Sequence, residues 1–411
     1  MNNFNYIRSF SLPIVLLAIM ISGSFLQVNA QTKLYGDTAT EKKIDSLLTL
    51  MTLEEKIGQV TQLSGNYDPT SRQNTANEVQ KQAIRSGETG SFLNVLGTDV
   101  IRQLQEIAVN ESRLKIPLIF GLDVIHGYKT TFPVPIAEAC TWDPSLVEMS
   151  SHIQAMEATA AGINWTFAPM VDIARDPRWG RIVEGNGEDT YMGTIMTAAR
   201  VKGFQGNDLK SATSLLACAK HFAAYGAAEG GRDYNNVDMS ERTLREIYLP
   251  PFKSAVEAGA GTLMCSFNEI AGVPSSANRF LLTDILRKEW KFEGFVVSDW
   301  NSIAELVNHG IAPTQKDAAG LALNAGLDMD MASSSYQKYL IELIKEKKIK
   351  QAVLDESVRR VLRIKYQTGL FENPFKNCNP DLEKSVILSD KNKEAALEVA
   401  HKSIVLLKNE N

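Results

Sequence analysis

The stretch Leu215-Leu216-Ala217-Cys218-Ala219-Lys220-His221-Phe222 decides the architecture. Its first five residues are apolar and of strand length, and the run then ends abruptly in a cation and an imidazole. An ammonium that leaves a buried strand requires a partner, and either ligand hydroxyls or a carboxylate would serve. Short apolar runs of the same kind lie on both sides, at Gly90–Val95, Pro117–Leu122, Ile163–Ala168, Thr262–Phe267, Phe295–Ser298 and Gly326–Met329. Each is followed by an amphipathic stretch. Buried strand alternating with helix means parallel β/α units, and seven of them in about 240 residues predict a closed (β/α)8 TIM-type barrel with one weak or irregular strand.

The flanks frame this barrel. Ile44 to Val60 carries helical spacing with a Thr52/Glu55 capping box, and two long helical patterns follow the last run, at Tyr336–Lys347 and Ala352–Tyr366. Residues 31–372 are assigned to the barrel domain. Residues 373–411 read as a linker (FENPFKNCNP, 371–380, at its start), a helix at Asn392–His401 and a strand-like run at Ser403–Leu407, the beginning of a second, α/β sandwich domain. Residues 1–30 read as a signal peptide: Arg8, an apolar run from Leu12 to Ile21, then Val28-Asn29-Ala30. The run is too short for a permanent span of a bilayer about 30 Å thick. A periplasmic or secreted product with no stable membrane anchor is therefore expected.

Composition narrows the chemistry. The 411 residues are 44% hydrophobic and 22% charged, which fits a large packed core and gives no support to disorder or coiled coil. A net charge of −5 with no dense basic run makes nucleic acid an unexpected partner. The four cysteines are widely spaced and read as buried thiols rather than disulfides. With neither CxxC nor HExxH present, no metal and no cofactor is expected.

In a parallel barrel, ligands sit at the C-terminal strand ends, so the polar residues that terminate the runs are the candidates. They are Asp123 and His126, the segment Asp172 to Arg181 with Glu184 and Glu188-Asp189, Lys220-His221, and Asp299-Trp300. Each has a structural alternative: Asp123 or Asp299 as a helix cap, Arg178 and Arg181 as braces of an acidic loop, His221 as a bonded core residue, Trp300 as core. Their coincidence on one barrel face favours a site. Carboxylates, a Lys-His pair, Arg and an aromatic platform suit a polyhydroxylated substrate, and an ionised Asp can attack an anomeric carbon.

The segments MTLEEKIGQ, GLDVIHG, APMVDIARDPRWGR with EGNGEDTYM, AKHFAAYGAAEGGRDYN, GFVVSDW and VRRVLRIKYQTGLF resemble glycoside hydrolase family 3, in particular periplasmic β-glucosidases. The resemblance implies Asp299 as nucleophile, with Asp123, Arg181, Lys220 and His221 holding the non-reducing sugar. It places a further sugar contact on the fifth strand run, where Met264 and Phe267 stand near Asn268 in place of the Tyr of some relatives. It also implies an acid/base from the α/β sandwich domain, whose first strand the tail Ile404–Asn411 resembles, so the chain looks truncated after its N-terminal domain. Single-domain relatives use a His in the loop after Lys-His, and Phe222–Asn236 contains none. The expected activity is a retaining, exo-acting β-glucosidase acting on a β-glucoside or oligosaccharide. The alternatives are another β-glycosidase such as a β-xylosidase, a Schiff-base lyase using Lys220, and a non-catalytic sugar-binding fragment.

Overall fold

The computed structural model describes residues 37–68 and 73–410. The expected signal peptide lies outside the described residues. Eight short parallel strands form the centre: β1 (Thr61–Ser64), β2 (Ser91–Leu93), β3 (Ile119–Leu122), β4 (Trp165–Thr166), β5 (Cys218–Phe222), β6 (Thr262–Cys265), β7 (Phe295–Val297) and β8 (Asp330–Met331). Successive strands pair in parallel, with Gln62 beside Ser91, Ser91 beside Ile119, Gly121 beside Trp165, Cys218 beside Thr262 and Thr262 beside Phe295. Single parallel bridges, Trp165 to Leu216 and Val297 to Met329, join β4 to β5 and β7 to β8. Thr61 beside Asp330 closes the ring. The (β/α)8 barrel is therefore complete.

One expectation is met and one shifts. The irregular strand is β1, placed by none of the seven apolar runs, because its residues are Thr-Gln-Leu-Ser. Two of its polar groups bond sideways: Gln62 Nε2 donates to Ser91 Oγ at 2.8 Å and Thr61 Oγ1 to Ile57 O at 2.9 Å. Strand β5 also starts later than its apolar run and continues through Lys220 and His221, whose side chains meet carboxylates and so tolerate burial. Before β1 stand the helices Thr38–Leu50 and Leu53–Gln59, the second with the Thr52/Glu55 capping box formed.

The barrel interior is filled from alternate strand positions. Trp165 packs edge-on against Phe167 and Phe295, and its indole N–H donates to Thr262 Oγ1 at 2.8 Å. Gly121 makes room for this layer, since a Cβ there would lie 2.6 Å from Phe167. At the N-terminal end, Asp328 is wholly buried and accepts from Arg287, Arg360, Ser357 and the Val296 backbone. Lys365, also buried, donates to Gln59 Oε1 and Gly90 O, each at 2.8 Å.

After the helix Gln351–Gln367, the segment 371–379 returns over the barrel, and Asn377 donates to Ala212 O. The helix Asp390–Lys402 packs Val399 into a cluster with Phe132, Leu146 and Ile153. Residues 404–410 carry no strand, in contrast to the expectation, and their apolar side chains Ile404 to Leu407 are exposed. A strand needs a pairing edge, and no β-pairing engages this segment. Of the cysteines, Cys218, Cys265 and Cys378 are buried free thiols. Cys140 is free but exposed, because it caps the C-terminal end of the surface helix Pro135–Ala139.

Candidate active site

Asp123, Lys220, His221, Arg181 and Asp299 converge where the strands end. Lys220 follows Cys218 on the inward face of β5, and its Nζ meets Asp123 Oδ1 at 2.5 Å. The ammonium is buried (5% exposed) while the carboxylate is 48% exposed, so Asp123 stands between Lys220 and open space. His221 is fixed by Asp172: its backbone N–H and its Nδ1 both lie within 2.9 Å of Asp172 Oδ2. Its Nε2 stands 3.5 Å from Asp299 Oδ2.

Asp299 lies two residues beyond β7. Its Oδ1 accepts the Trp300 N–H at 2.6 Å, so one oxygen is anchored and the other is presented beside His221. This is not helix capping, since the following helix Ser302–Glu305 has Asn301 at its N-cap position. Capping does account for Asp189, which accepts from Met192. Burial pushes the Asp299 carboxyl up to about 6 against the opposing charges of Lys220 and Arg181. Burial likewise pushes Asp172 up to about 7 and holds His221 well below the ordinary imidazole range, helped by the nearby Arg181 and Lys220 cations.

The two arginines separate. Arg178 is exposed and braces Asp176, whereas Arg181 is three-quarters buried, forks onto Glu184 at 2.8 and 3.1 Å and lies over the Tyr225 ring. Trp300 is 48% exposed at the rim. Met264 is buried beside Val297, on the same face of β6 as Thr262, and so lies inside the barrel below the mouth. Phe267, further along, reaches the rim and packs on Tyr234 with ring centres 4.7 Å apart.

Sequence reasoning named Asp172 only as one candidate within its segment and gave no role to Tyr225 or Tyr234. Tyr225 stacks edge-on to His221 and Trp179 and carries Arg181 on its face. Tyr234 belongs to the Gly-rich loop, which Asp233 ties down by accepting the Trp179 indole N–H at 2.9 Å. Gly231 permits that approach: its φ is +67° and a Cβ would lie 2.9 Å from the Arg178 side chain. Among the described residues no group of three His, Cys, Asp or Glu is arranged to hold a metal ion, and no helix is long and apolar enough to cross a membrane.

The Lys220–Asp123 pair also bears on the lyase alternative, because an amine that attacks a carbonyl must be neutral, and this one is held as an ion pair. The site is thus a set of charged hydrogen-bonding groups around one partly satisfied carboxylate. Comparison with known proteins agrees. The chain is 43% identical over 377 residues to a periplasmic β-glucosidase of Salmonella typhimurium, covering 90% of this chain and 48% of that protein. It is 36% identical to a β-xylosidase of Formosa agariphila, over 96% of this chain and 52% of that one. A β-glucosidase of Listeria innocua solved in complex with laminaribiose superimposes with a TM-score of 0.85 at 39% identity, covering 90% of this chain and 52% of that one. The chain spans about half the length of these relatives. The pattern of the glycosyl hydrolase family 3 N terminal domain matches residues 52–364, and on that match the chain belongs to glycosyl hydrolase family 3.

Proposed function

We propose that this chain is the nucleophile-bearing half of a retaining, exo-acting β-glucosidase that removes terminal non-reducing β-D-glucosyl residues through a covalent glycosyl-Asp299 intermediate. The observation that carries the reading is Asp299 itself: one oxygen anchored by the Trp300 N–H, the other presented at a barrel mouth lined by Lys220, Asp123, Arg181 and His221. With its carboxyl at about 6, Asp299 is mostly ionised at neutral pH and poorly solvated, which suits a nucleophile.

In the first step Oδ2 bonds to the anomeric carbon as the glycosidic C–O bond breaks, and the leaving oxygen takes a proton from an acid. In the second, water loses a proton to the conjugate base and displaces Asp299. The acid/base is assigned to the part of the relatives' length that this chain does not span. Asp123 accepts sugar hydroxyls and Lys220 donates to them. Asp172 accepts the Nδ1–H of His221, which leaves Nε2 as an acceptor for a ring hydroxyl. Trp300 offers a face to the leaving sugar.

The periplasmic relative supports an exported location, in line with the first 30 residues. A pentoside specificity is the second reading, favoured by the β-xylosidase relative. The test is covalent trapping with paired 2,4-dinitrophenyl 2-deoxy-2-fluoro glycosides, which need no acid for the leaving group. A hexosyl adduct on Asp299, formed faster from the glucoside than from the xyloside, is the expected result. An adduct on another residue, or on none, would overturn the assignment.

A further inference from the structure

Glu157 takes no part in the chemistry above, yet it holds the Asp123 loop. It is buried near the C-terminal end of the helix Pro144–Ala160 and accepts five hydrogen bonds. Three come from the loop that follows Asp123: Lys129 N at 3.1 Å, Thr130 N at 2.8 Å and Thr130 Oγ1 at 2.5 Å. Two come from the C-terminal segment: Leu388 N and Asn392 Nδ2, both at 2.9 Å. Every partner is a donor, so only an acceptor with no hydrogen of its own satisfies them all. These bonds hold its carboxyl below the usual range even though burial acts the other way.

The loop between Asp123 and this anchor is short and closed on itself. Phe132 N donates to His126 O at 2.8 Å, and His126 Nδ1 lies 3.0 Å from Phe132 O. Gly127 makes the turn, where a Cβ would lie 2.1 Å from Thr130 O. Phe132 then enters the same apolar cluster as Val399 of the helix Asp390–Lys402. The loop is thus clamped by a polar contact and an apolar one, and each reaches the C-terminal helix.

We propose that Glu157 is a positioning residue that couples the seating of the helix Asp390–Lys402 to the placement of Asp123, and so to affinity for the sugar. The assignment rests on the reading that Asp123 contacts sugar. It gives the C-terminal segment a second role, because whatever displaces that helix also loosens the glycone site.

The test uses the whole chain and 2,4-dinitrophenyl 2-deoxy-2-fluoro-β-glucoside, with labelling followed by intact mass well below each variant's Tm. Glu157→Gln puts an NH2 group among donors whichever way the amide turns. It should raise KI by roughly three- to thirtyfold, the span typical of coupling through a packed contact, with kinact changed by less than about twofold. Asn392→Ala removes the helix's side-chain bond to Glu157 together with the Asn392 Nδ2 bond to Val386 O, leaves the Leu388 N–H bond in place, and should shift KI the same way by less. In an Asp123→Asn background both shifts should vanish, an outcome that a general loss of packing would not give. Unchanged KI in folded Glu157→Gln, or an equal rise with and without Asp123, overturns the proposal. If Glu157→Gln does not fold, Asn392→Ala decides on the same readout. If Asp123→Asn alone leaves KI unchanged, the sugar-site reading has failed and the coupling falls with it.

Discussion

Replacing Asp299 by Asn separates function from stability, with opposite signs. Asp299 carries an ionisable group pushed from an ordinary 3.8 to about 6 by burial, so between those values the folded state holds a proton that the unfolded state has released. Stability therefore falls as pH rises from about 4 to about 6, and the loss is complete above that. At roughly 1.4 kcal/mol per unit, the displacement of about two units costs ~3 kcal/mol at pH 8. Asn is close in shape, keeps an oxygen for the Trp300 N–H and carries no charge. The variant should thus be more stable than the unaltered chain by about 2–3 kcal/mol at pH 8 and indistinguishable from it at pH 4. Its labelling or turnover with an activated glucoside should fall by about four powers of ten or more. Urea unfolding at the two pH values, alongside rates with the dinitrophenyl glucoside, makes the comparison. A variant less stable at pH 8 would show that Lys220 and Arg181 need the carboxylate as a structural partner. Activity within about tenfold of the original would place the nucleophile elsewhere.

Three further outcomes test the site and its scaffold. Lys220→Met removes the first group that opposes burial at Asp299, so the acid limb of the labelling-rate profile should move to higher pH; an unmoved limb would remove Lys220 from that role. Trp300→Ala should weaken cellobiose binding by up to about tenfold while glucose, which fills only the inner position, binds as before; equal losses for both sugars would put Trp300 at the inner position instead. Burial lowers the Lys365 ammonium from 10.5 to about 7, so folding releases a proton between those values and stability should rise with pH across them. In Lys365→Met that rise should disappear, as read from urea midpoints at several pH values.

Several of these groups were legible in the sequence because each one interrupts an apolar run. Lys220 and His221 end an apolar run inside β5 and Asp299 lies two residues beyond β7, where a charge without a purpose is costly. The rest was hidden for identifiable reasons. Strand β1 is polar, and its hydrogen bonds go to neighbouring elements, which no hydropathy pattern records. Asp172 lies well past its strand, and its significance is that His221 folds back onto it from the next one. A spacing of three could not rank Arg178 against Arg181. What separates them is that the Asp176 brace holds Arg178 outside, while Tyr225 offers Arg181 a face inside. The tail run has strand composition, but composition supplies only half of a β-pair.

The two ends of the barrel hold similar residues to opposite effect, and what differs is whether the groups face an opening. At the N-terminal end Asp328 meets two guanidinium groups, a hydroxyl and a backbone N–H, and Lys365 is enclosed by two carbonyl oxygens. Both side chains are wholly enclosed, so neither is presented to a ligand. At the C-terminal end Asp299 has one N–H on one oxygen, Asp123 shares a single bond with Lys220 and is half exposed, and His221 is bonded through one nitrogen. Those groups are held in place by the fold but left short of partners, at a cost in stability that the Asp299 shift measures. On the proposed function, a sugar ring, with a hydroxyl on nearly every carbon, would supply the missing partners all at once. On the proposed reading, sugar binding there should draw on hydrogen bonding more than on rearrangement, because the fold already holds these groups.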